Sequence, residues 1–122
     1  MKIKIKIKSS DLQPLVKITR LMIRYNIEFI DYVDFYNSLG IEKKLTAINL
    51  RSSFSNIKNH VLNIDPNEAK LFIRLVDESN DVIDKDPYFY SLLDSIKSII
   101  YHQLFELDHK KEIFINSTKA IN

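Results

Sequence analysis

The first eight residues alternate strictly between apolar and basic side chains, with Ile3, Ile5 and Ile7 separated by single lysines. A period of two is typical of a β-strand with one buried and one solvated face. The pattern therefore predicts a strand over residues 1–8 with its lysines in solvent. These lysines, about 6.5–7 Å apart on one face, could contact successive phosphates, but a solvated strand face is the simpler interpretation.

Helical spacing, with apolar residues three and four apart, dominates the rest of the chain. It predicts a helix over 9–25 and the longest helix over 87–107. Asp65, Pro66 and Glu68 supply a cap, a first-turn proline and an acid at the third helical position, which together are typical of a helix start. A third helix is therefore predicted directly after Asp65.

Two further segments decide the fold class. Polar residues recur every third position over 27–38, which favours a helix, with a strand at 27–33 in a β-α-β unit as the alternative. Residues 112–116 are predicted to form a short strand that pairs with the first strand, since an isolated strand leaves its backbone groups unpaired. The prediction is a mainly helical α+β fold of four to six helices, with a small sheet from the N- and C-terminal strands.

Residues 41–64 carry two apolar stripes that are out of phase, because the step from Ile48 to Leu50 turns a helix by about 200°. The first stripe is Ile41, Leu45 and Ile48, and the second is Leu50, Phe54, Ile57, Val61 and Ile64. One interpretation is a single helix buried on both sides. The other is two helices with a turn at 49–52, for which Ser52 and Ser53 are suitable caps. With a helix at 27–38 in front, the second predicts a helix-turn-helix-like unit over 27–64.

The outward face of that second helix suggests a site. The segment LRSSFSNIKNHV, residues 50–61, resembles the recognition-helix segment of winged-helix and related DNA-binding domains. Lysine and arginine neutralise phosphates, while asparagine and serine bond bases or backbone. The candidate nucleic-acid-binding residues are Arg51, Ser52, Ser55, Asn56, Lys58 and Asn59. The competing interpretation is an ordinary solvated helix face.

Composition narrows the class of protein. A length of 122 residues, a hydrophobic content of 45% and no long apolar run predict one globular domain, 1–122, without a membrane partner. The absence of cysteine excludes disulfides, thiol nucleophiles and thiolate metal sites, and it favours a cytoplasmic location. The abundance of Ile, Lys, Asn, Phe and Tyr is typical of AT-rich coding DNA, which fits phages, plasmids and low-GC bacteria alike, and of these we predict a phage or another mobile element as the source.

The net charge of +2 is unevenly distributed along the chain. Residues 1–61 hold 11 basic and 5 acidic residues, hence +6, and residues 62–122 hold 7 and 11, hence −4. This asymmetry suggests a basic face for an anionic partner and an acidic region elsewhere. The alternative is that folding mixes the two halves.

Candidate catalytic chemistry is sparse. The ligand-like residues near the end of the longest helix are His102, Glu106, Asp108 and His109, and they match no recognised metal motif. The acidic segment 77–86 begins like a calcium loop, but Val82 occupies the glycine position and Tyr88 the glutamate position. With a single glycine, a phosphate cradle is also excluded. We therefore predict no catalytic residue, metal or cofactor, and no enzymatic activity.

The sequence thus predicts a small non-enzymatic regulatory binding protein that associates with nucleic acid. The alternative is a protein-binding inhibitor of a host enzyme or defence system, such as an anti-CRISPR-like protein, which the acidic half and the aromatic residues would suit. A small structural subunit of a larger assembly is a third choice. Because the longest helix is apolar over more than one face, a homodimer through 88–107 is also predicted.

Overall fold

The computed structural model describes the backbone of residues 1–83 and 85–121, and the side chains of residues 1–83 and 85–109. In chain order the elements are β1 (Ile3–Lys8), α1 (Ser9–Tyr25), α2 (Tyr32–Ser52), β2 (Asn59–Ile64), α3 (Pro66–Glu78), α4 (Asn80–Ile83) and α5 (Pro87–Ile121). The prediction of a mainly helical fold with a small sheet is confirmed.

The sheet consists of β1 and β2, which run antiparallel from the pair Ile3–Ile64 to the pair Lys8–Asn59. The isoleucines of β1 are buried and its lysines are exposed, as the alternation predicts. The second strand is not the predicted one. Residues 112–116 fall within the range of α5 and outside the described side chains, and β2 pairs with β1 because Leu62 and Ile64 extend its buried apolar row.

The free edge of β1 is covered by α5. The Gln103 side chain accepts a hydrogen bond from the N–H of Lys4 at 2.8 Å and donates one to the carbonyl of Lys4 at 2.6 Å. One amide side chain thus takes the position that a peptide group of a third strand would occupy. Because unpaired edge groups invite pairing with other chains, this contact protects part of the edge.

The core lies between the inner face of the sheet and the helices. The predicted first helix is confirmed as α1, and the predicted starts after Asp65 and at Pro87 are those of α3 and α5. The predicted stripe of the longest helix also faces the core, with Leu93, Ile96 and Ile100 buried and Phe89, Leu104 and Leu107 partly buried.

α2 is one uninterrupted helix, and it passes through Gly40. A Cβ at Gly40 would lie 2.7 Å from the Oε2 atom of the buried Glu68, so glycine allows this carboxylate to approach the helix closely. The alternative strand at 27–33 is wrong, because residues 27–30 form turns and α2 begins at Tyr32. Asp31 caps α2 by accepting a hydrogen bond from the N–H of Asp34 at 2.8 Å.

The helix-turn-helix-like unit over 27–64 is not formed. The stripe Ile41, Leu45 and Ile48 is buried on α2 as predicted, but after Ser52 the chain enters a loop, residues 53–58, and then β2. Of the second predicted stripe only Ile64 is buried. Pairing of six residues with β1 therefore prevails over the helical spacing of the segment.

A reciprocal capping box begins α3. The Asp65 carboxylate accepts from the N–H of Glu68 at 2.8 Å, and the Glu68 carboxylate accepts from the N–H of Asp65 at 3.0 Å and from Lys44 Nζ at 2.5 Å. Burial raises the pKa of the Asp65 carboxyl, but the hydrogen bonds with Glu68 and the charge of Lys44 outweigh it. The pKa is thereby held below its usual range.

Replacing Asp65 with alanine should lower the free energy of unfolding by about 0.5–2 kcal/mol at neutral pH, the usual loss for an N-cap. Because the pKa is lower in the folded state, the contribution of the charged carboxylate is complete above about pH 4 and is lost as the pH falls through the folded value. Urea denaturation at neutral and acidic pH should therefore show a difference that narrows in acid. Asp31→Ala is the control, because it removes a cap that has no reciprocal bond. It should lower the free energy of unfolding by less than Asp65→Ala does. A loss for Asp65→Ala that does not change with pH would contradict this assignment.

Candidate nucleic-acid interface

The six predicted site residues do not share a helix face. Arg51 and Ser52 are the last residues of α2, Ser55, Asn56 and Lys58 lie in the loop 53–58, and Asn59 is the first residue of β2. The structure nevertheless brings Arg51, Ser55 and Asn59 to one groove. Asn56 and Lys58 are exposed beside it, and Ser52 is half-buried at the helix end.

This groove has a volume of about 340 Å³ and lies between the last turn of α2, the loop and β2. Its lining is Ile48, Arg51, Ser55, Ile57, Asn59, His60 and Val61. The lining thus combines the cation of Arg51, the amide of Asn59 and the hydroxyl of Ser55 with apolar side chains. Such a lining can receive a flat ring with an anionic group beside it.

Short-range hydrogen bonds determine the shape of the loop. The N–H of Phe54 donates to the carbonyl of Arg51 at 3.1 Å, which continues the turn of α2. The N–H of Ile57 then donates to the Ser55 hydroxyl at 3.0 Å. This arrangement leaves the Phe54 ring in solvent, where the helical stripe had predicted a buried position.

Ser9 anchors the loop to the junction of β1 and α1. Its hydroxyl donates to the carbonyl of Ile57 at 2.5 Å, and its N–H donates to the carbonyl of Lys58 at 2.8 Å. His60 Nε2 lies 3.0 Å from the same hydroxyl oxygen. Because a hydroxyl has only one proton, His60 Nε2 must be the donor in that contact. Sequence reasoning had assigned Ser9 only to a helix start, and no local pattern links it to residues so distant in the chain.

The outer face of the sheet extends the site with lysines. Lys6 lies opposite Val61 and Lys8 opposite Asn59, both of which line the groove. The cations of this face and of the neighbouring loop and helix end, here called the basic surface, are Lys4, Lys6, Lys8, Arg51 and Lys58, of which Arg51 lines the groove itself. All five are exposed, and among the side chains that the structure describes none lies within ion-pair distance of a carboxylate. Segments 1–10 and 43–64 contain no acidic residue, which favours a positive potential here, and Asp11 is the acidic residue that lines a groove with Lys6 and Lys8.

A different surface lies at the other end of α2. Phe29 is 78% exposed, Tyr32 83%, Val33 64% and Tyr36 71%. We call these four residues the aromatic patch. The turn before it is rigidly held, because the buried Asn26 side chain donates to the carbonyl of Met22 and to the Ser79 hydroxyl, each at 2.9 Å. The acidic residues Glu28 and Asp31 lie in the turn beside the patch, and Glu78 and Asp81 lie next to Ser79 in the chain; we call these four the acidic border.

A groove of about 420 Å³ lies between β1 and α5, and its lining includes Asp11, Tyr88, Ser91 and Ser95. The hydroxyl of Tyr88 donates to Asp11 Oδ1 at 2.5 Å. Burial and the neighbouring Asp11 raise the pKa of Tyr88 to about 12, so the phenol stays protonated at neutral pH. Lys6 and Lys8 also belong to the lining, which contains no histidine or cysteine.

The ligand-like residues of α5 form a surface pair and a stack. His102 Nε2 lies 3.2 Å from Glu106 Oε1, with both side chains largely exposed, and the ring of His109 stacks on Phe105. Within the described side chains no three His, Cys, Asp or Glu residues converge as a metal site would require. None of the helices in the described part of the chain offers an apolar stretch that could cross a lipid bilayer.

Replacing Ser9 with alanine should loosen the loop, because it removes the hydroxyl contacts with Ile57 and His60. We expect the free energy of unfolding to fall by about 0.5–1.5 kcal/mol, the net value of a typical hydrogen bond. Amide hydrogen exchange over 53–58 should become faster, as measured by mass spectrometry. Ser10→Ala is the matched control, since Ser10 is exposed on the same helical turn. Equal exchange in the two variants would contradict the anchoring role of Ser9.

The chain was compared with protein-family models, with curated proteins and with solved structures. No significant match was found in any of the three comparisons.

Proposed function

We propose that the protein is a small non-enzymatic binding protein that associates with nucleic acid through the basic surface. The observation that carries this proposal is a set of five exposed cations on the outer sheet face and beside one groove, none of which is paired with a carboxylate among the described side chains. Phosphate neutralisation by such cations supplies most of the affinity of proteins for nucleic acids. The contact surface in this proposal is a sheet face and a loop, where the sequence had suggested a recognition helix.

The spacing of the cations supports the proposal. Lysines two residues apart on a strand are about 6.5–7 Å apart, which is close to the separation of neighbouring phosphates along one strand of nucleic acid. Asn59 and Asn63 lie opposite Lys8 and Lys4, so amides that bond bases or sugars stand beside the cations. A nucleic-acid strand that followed β1 would therefore meet cations and amides together.

The AT-rich composition supports a regulatory role in a phage or other mobile element, and the homodimer through α5 remains part of the proposal. Tyr90, Tyr101 and Phe105 are exposed on α5, where a second copy could cover them.

Single substitutions in the basic surface should change the salt dependence of binding. For Lys6→Ala and for Lys58→Ala we expect weaker binding on every sequence. Each should reduce the slope of log affinity against log salt by about 0.7–0.9, the contribution of one phosphate contact. Fluorescence anisotropy with labelled oligonucleotides over a range of salt concentrations measures both quantities.

Arg24→Ala is the charge-matched control for these variants. Arg24 is exposed near the far end of α1, about 22 Å along the helix from Ser9. Its removal should leave the slope unchanged. If the wild-type protein binds no oligonucleotide more tightly than about 10⁻⁴ M, the weak end of ordinary non-specific affinity, the proposal fails.

The aromatic patch favours a second candidate function, inhibition or recruitment of another protein. Monomeric proteins seldom expose several large apolar side chains together unless the surface binds a partner. Aromatic residues on a rigid base are typical of binding hot spots, and the acidic border suits a partner with a basic surface. This candidate corresponds to the host-protein inhibitor that the composition also suggested.

The double variant Tyr32→Ala, Tyr36→Ala should abolish retention of such a partner while leaving the binding of oligonucleotides unchanged. Affinity purification from cells of the natural source, followed by mass spectrometry, measures retention. Phe54→Ala is the control for partner retention, because it removes an exposed aromatic ring at the other end of α2. If both variants retain the same proteins as the wild type, the patch is not a docking surface.

A further inference from the structure

Four apolar side chains stand in solvent on the same side of the molecule as the basic surface. Leu50 is 61% exposed, Phe54 86%, Ile57 61% and Val61 50%. They occupy the last turn of α2, the loop and the outer face of β2, so they lie among the cations and not at a separate end. A ligand of the basic surface must therefore cover apolar groups as well as pair with cations.

Duplex and single-stranded nucleic acids differ in this respect. A duplex presents phosphates and base edges, and its base faces are hidden in the stack. A single strand exposes the π-faces of its bases, which stack on aromatic side chains regardless of sequence. An exposed aromatic ring among cations can therefore stack on the bases of a single strand. It contributes little to the binding of a regular duplex.

Phe54 and Arg51 belong to the same turn. The hydrogen bond from the N–H of Phe54 to the carbonyl of Arg51 closes this turn at the end of α2. Arg51 and Ser55, on either side of Phe54 in the chain, line the groove, and Ile57 and Val61 add apolar lining. One base can stack on the ring while the next enters the groove and the phosphate between them meets Arg51.

From these contacts we infer that the nucleic acid of this site is single-stranded, and that Phe54 is the platform on which a base stacks. The inference rests on the proposed function and specifies its ligand. The anchoring of the loop by Ser9 supports it, because a platform held in place before binding loses less conformational freedom on binding.

The chain contains no tryptophan, which allows a direct test. Phe54→Trp introduces a single indole at the platform, and stacking of a base on it should quench its fluorescence. We expect quenching by an oligothymidylate of about 12 nucleotides, within the usual site size for single-strand binders, and none by a duplex of the same length. Phe29→Trp is the matched control, since Phe29 is similarly exposed but lies at the opposite end of α2, about 30 Å away.

Affinity measurements separate stacking from simple apolar contact. Phe54→Ala and Phe54→Leu should both weaken binding of the oligothymidylate by roughly 5- to 100-fold, the equivalent of one stacked base. Phe54→Tyr should retain the affinity. None of the three variants should alter the salt slope or the urea midpoint, because Phe54 carries no charge and is exposed.

Two results would overturn the inference, and they have different consequences. Equal binding of duplex and oligothymidylate, with no effect of Phe54→Ala, would refute the single-strand platform. The proposed function would survive that result if Lys6→Ala and Lys58→Ala still flattened the salt slope. Absence of binding to both probes would refute the proposed function and the inference together.

Discussion

The antiparallel pairing of β1 with β2 is the contact on which the rest of the structure depends. β1 brings three isoleucines that need a buried face, and a lone strand cannot provide one. The segment 59–64 supplies the partner, with Leu62 and Ile64 extending the same apolar layer. Once these residues form a strand, the chain must leave α2 at Ser52, and the intervening residues become an exposed loop.

How much of the fold the sequence predicted depends on how far apart in the chain the interacting residues lie. β1, α1 and the starts of α3 and α5 were predictable, because alternation, helical stripes and caps such as Asp65 act between neighbours. β2 was not, because its conformation is decided by a strand more than 50 residues earlier in the chain. Residues 50–64 satisfy helical spacing locally, and only the register with β1 reveals Leu62 and Ile64 as an alternating pair. The candidate residues Arg51, Ser55 and Asn59 line one groove, but the end of α2, the loop and β2 bring them there, where the sequence had predicted one helix face.

α2 separates two surfaces of opposite character. Its first turn carries Tyr32 and Tyr36 within an acidic border, and its last turn carries Arg51 next to the lysines of β1. A helix of this length places them about 30 Å apart. The basic surface comes entirely from the positive first half of the chain, whereas the acidic border combines Glu28 and Asp31 with Glu78 and Asp81 from both halves. Folding therefore keeps the cations of the basic surface together, while elsewhere it mixes the halves, as in the ion pairs of Lys44 with Glu68 and of Arg74 with Asp34.

Because Phe54, Ile57 and Val61 are exposed, the fold lacks the free energy that their burial would contribute, and this loss suggests a ligand. Burying each side chain would stabilise the fold by roughly 1.5–3 kcal/mol, and a helix over 52–64 could have offered that burial. The strand instead buries Ile3, Ile5 and Ile7 together with Leu62 and Ile64, a larger apolar set. Stability thus explains why the loop residues leave the core, but it does not explain why they remain large and apolar. Polar side chains at these three positions would leave the core intact. A ligand that presents base faces beside phosphates would contact aromatic and aliphatic side chains here.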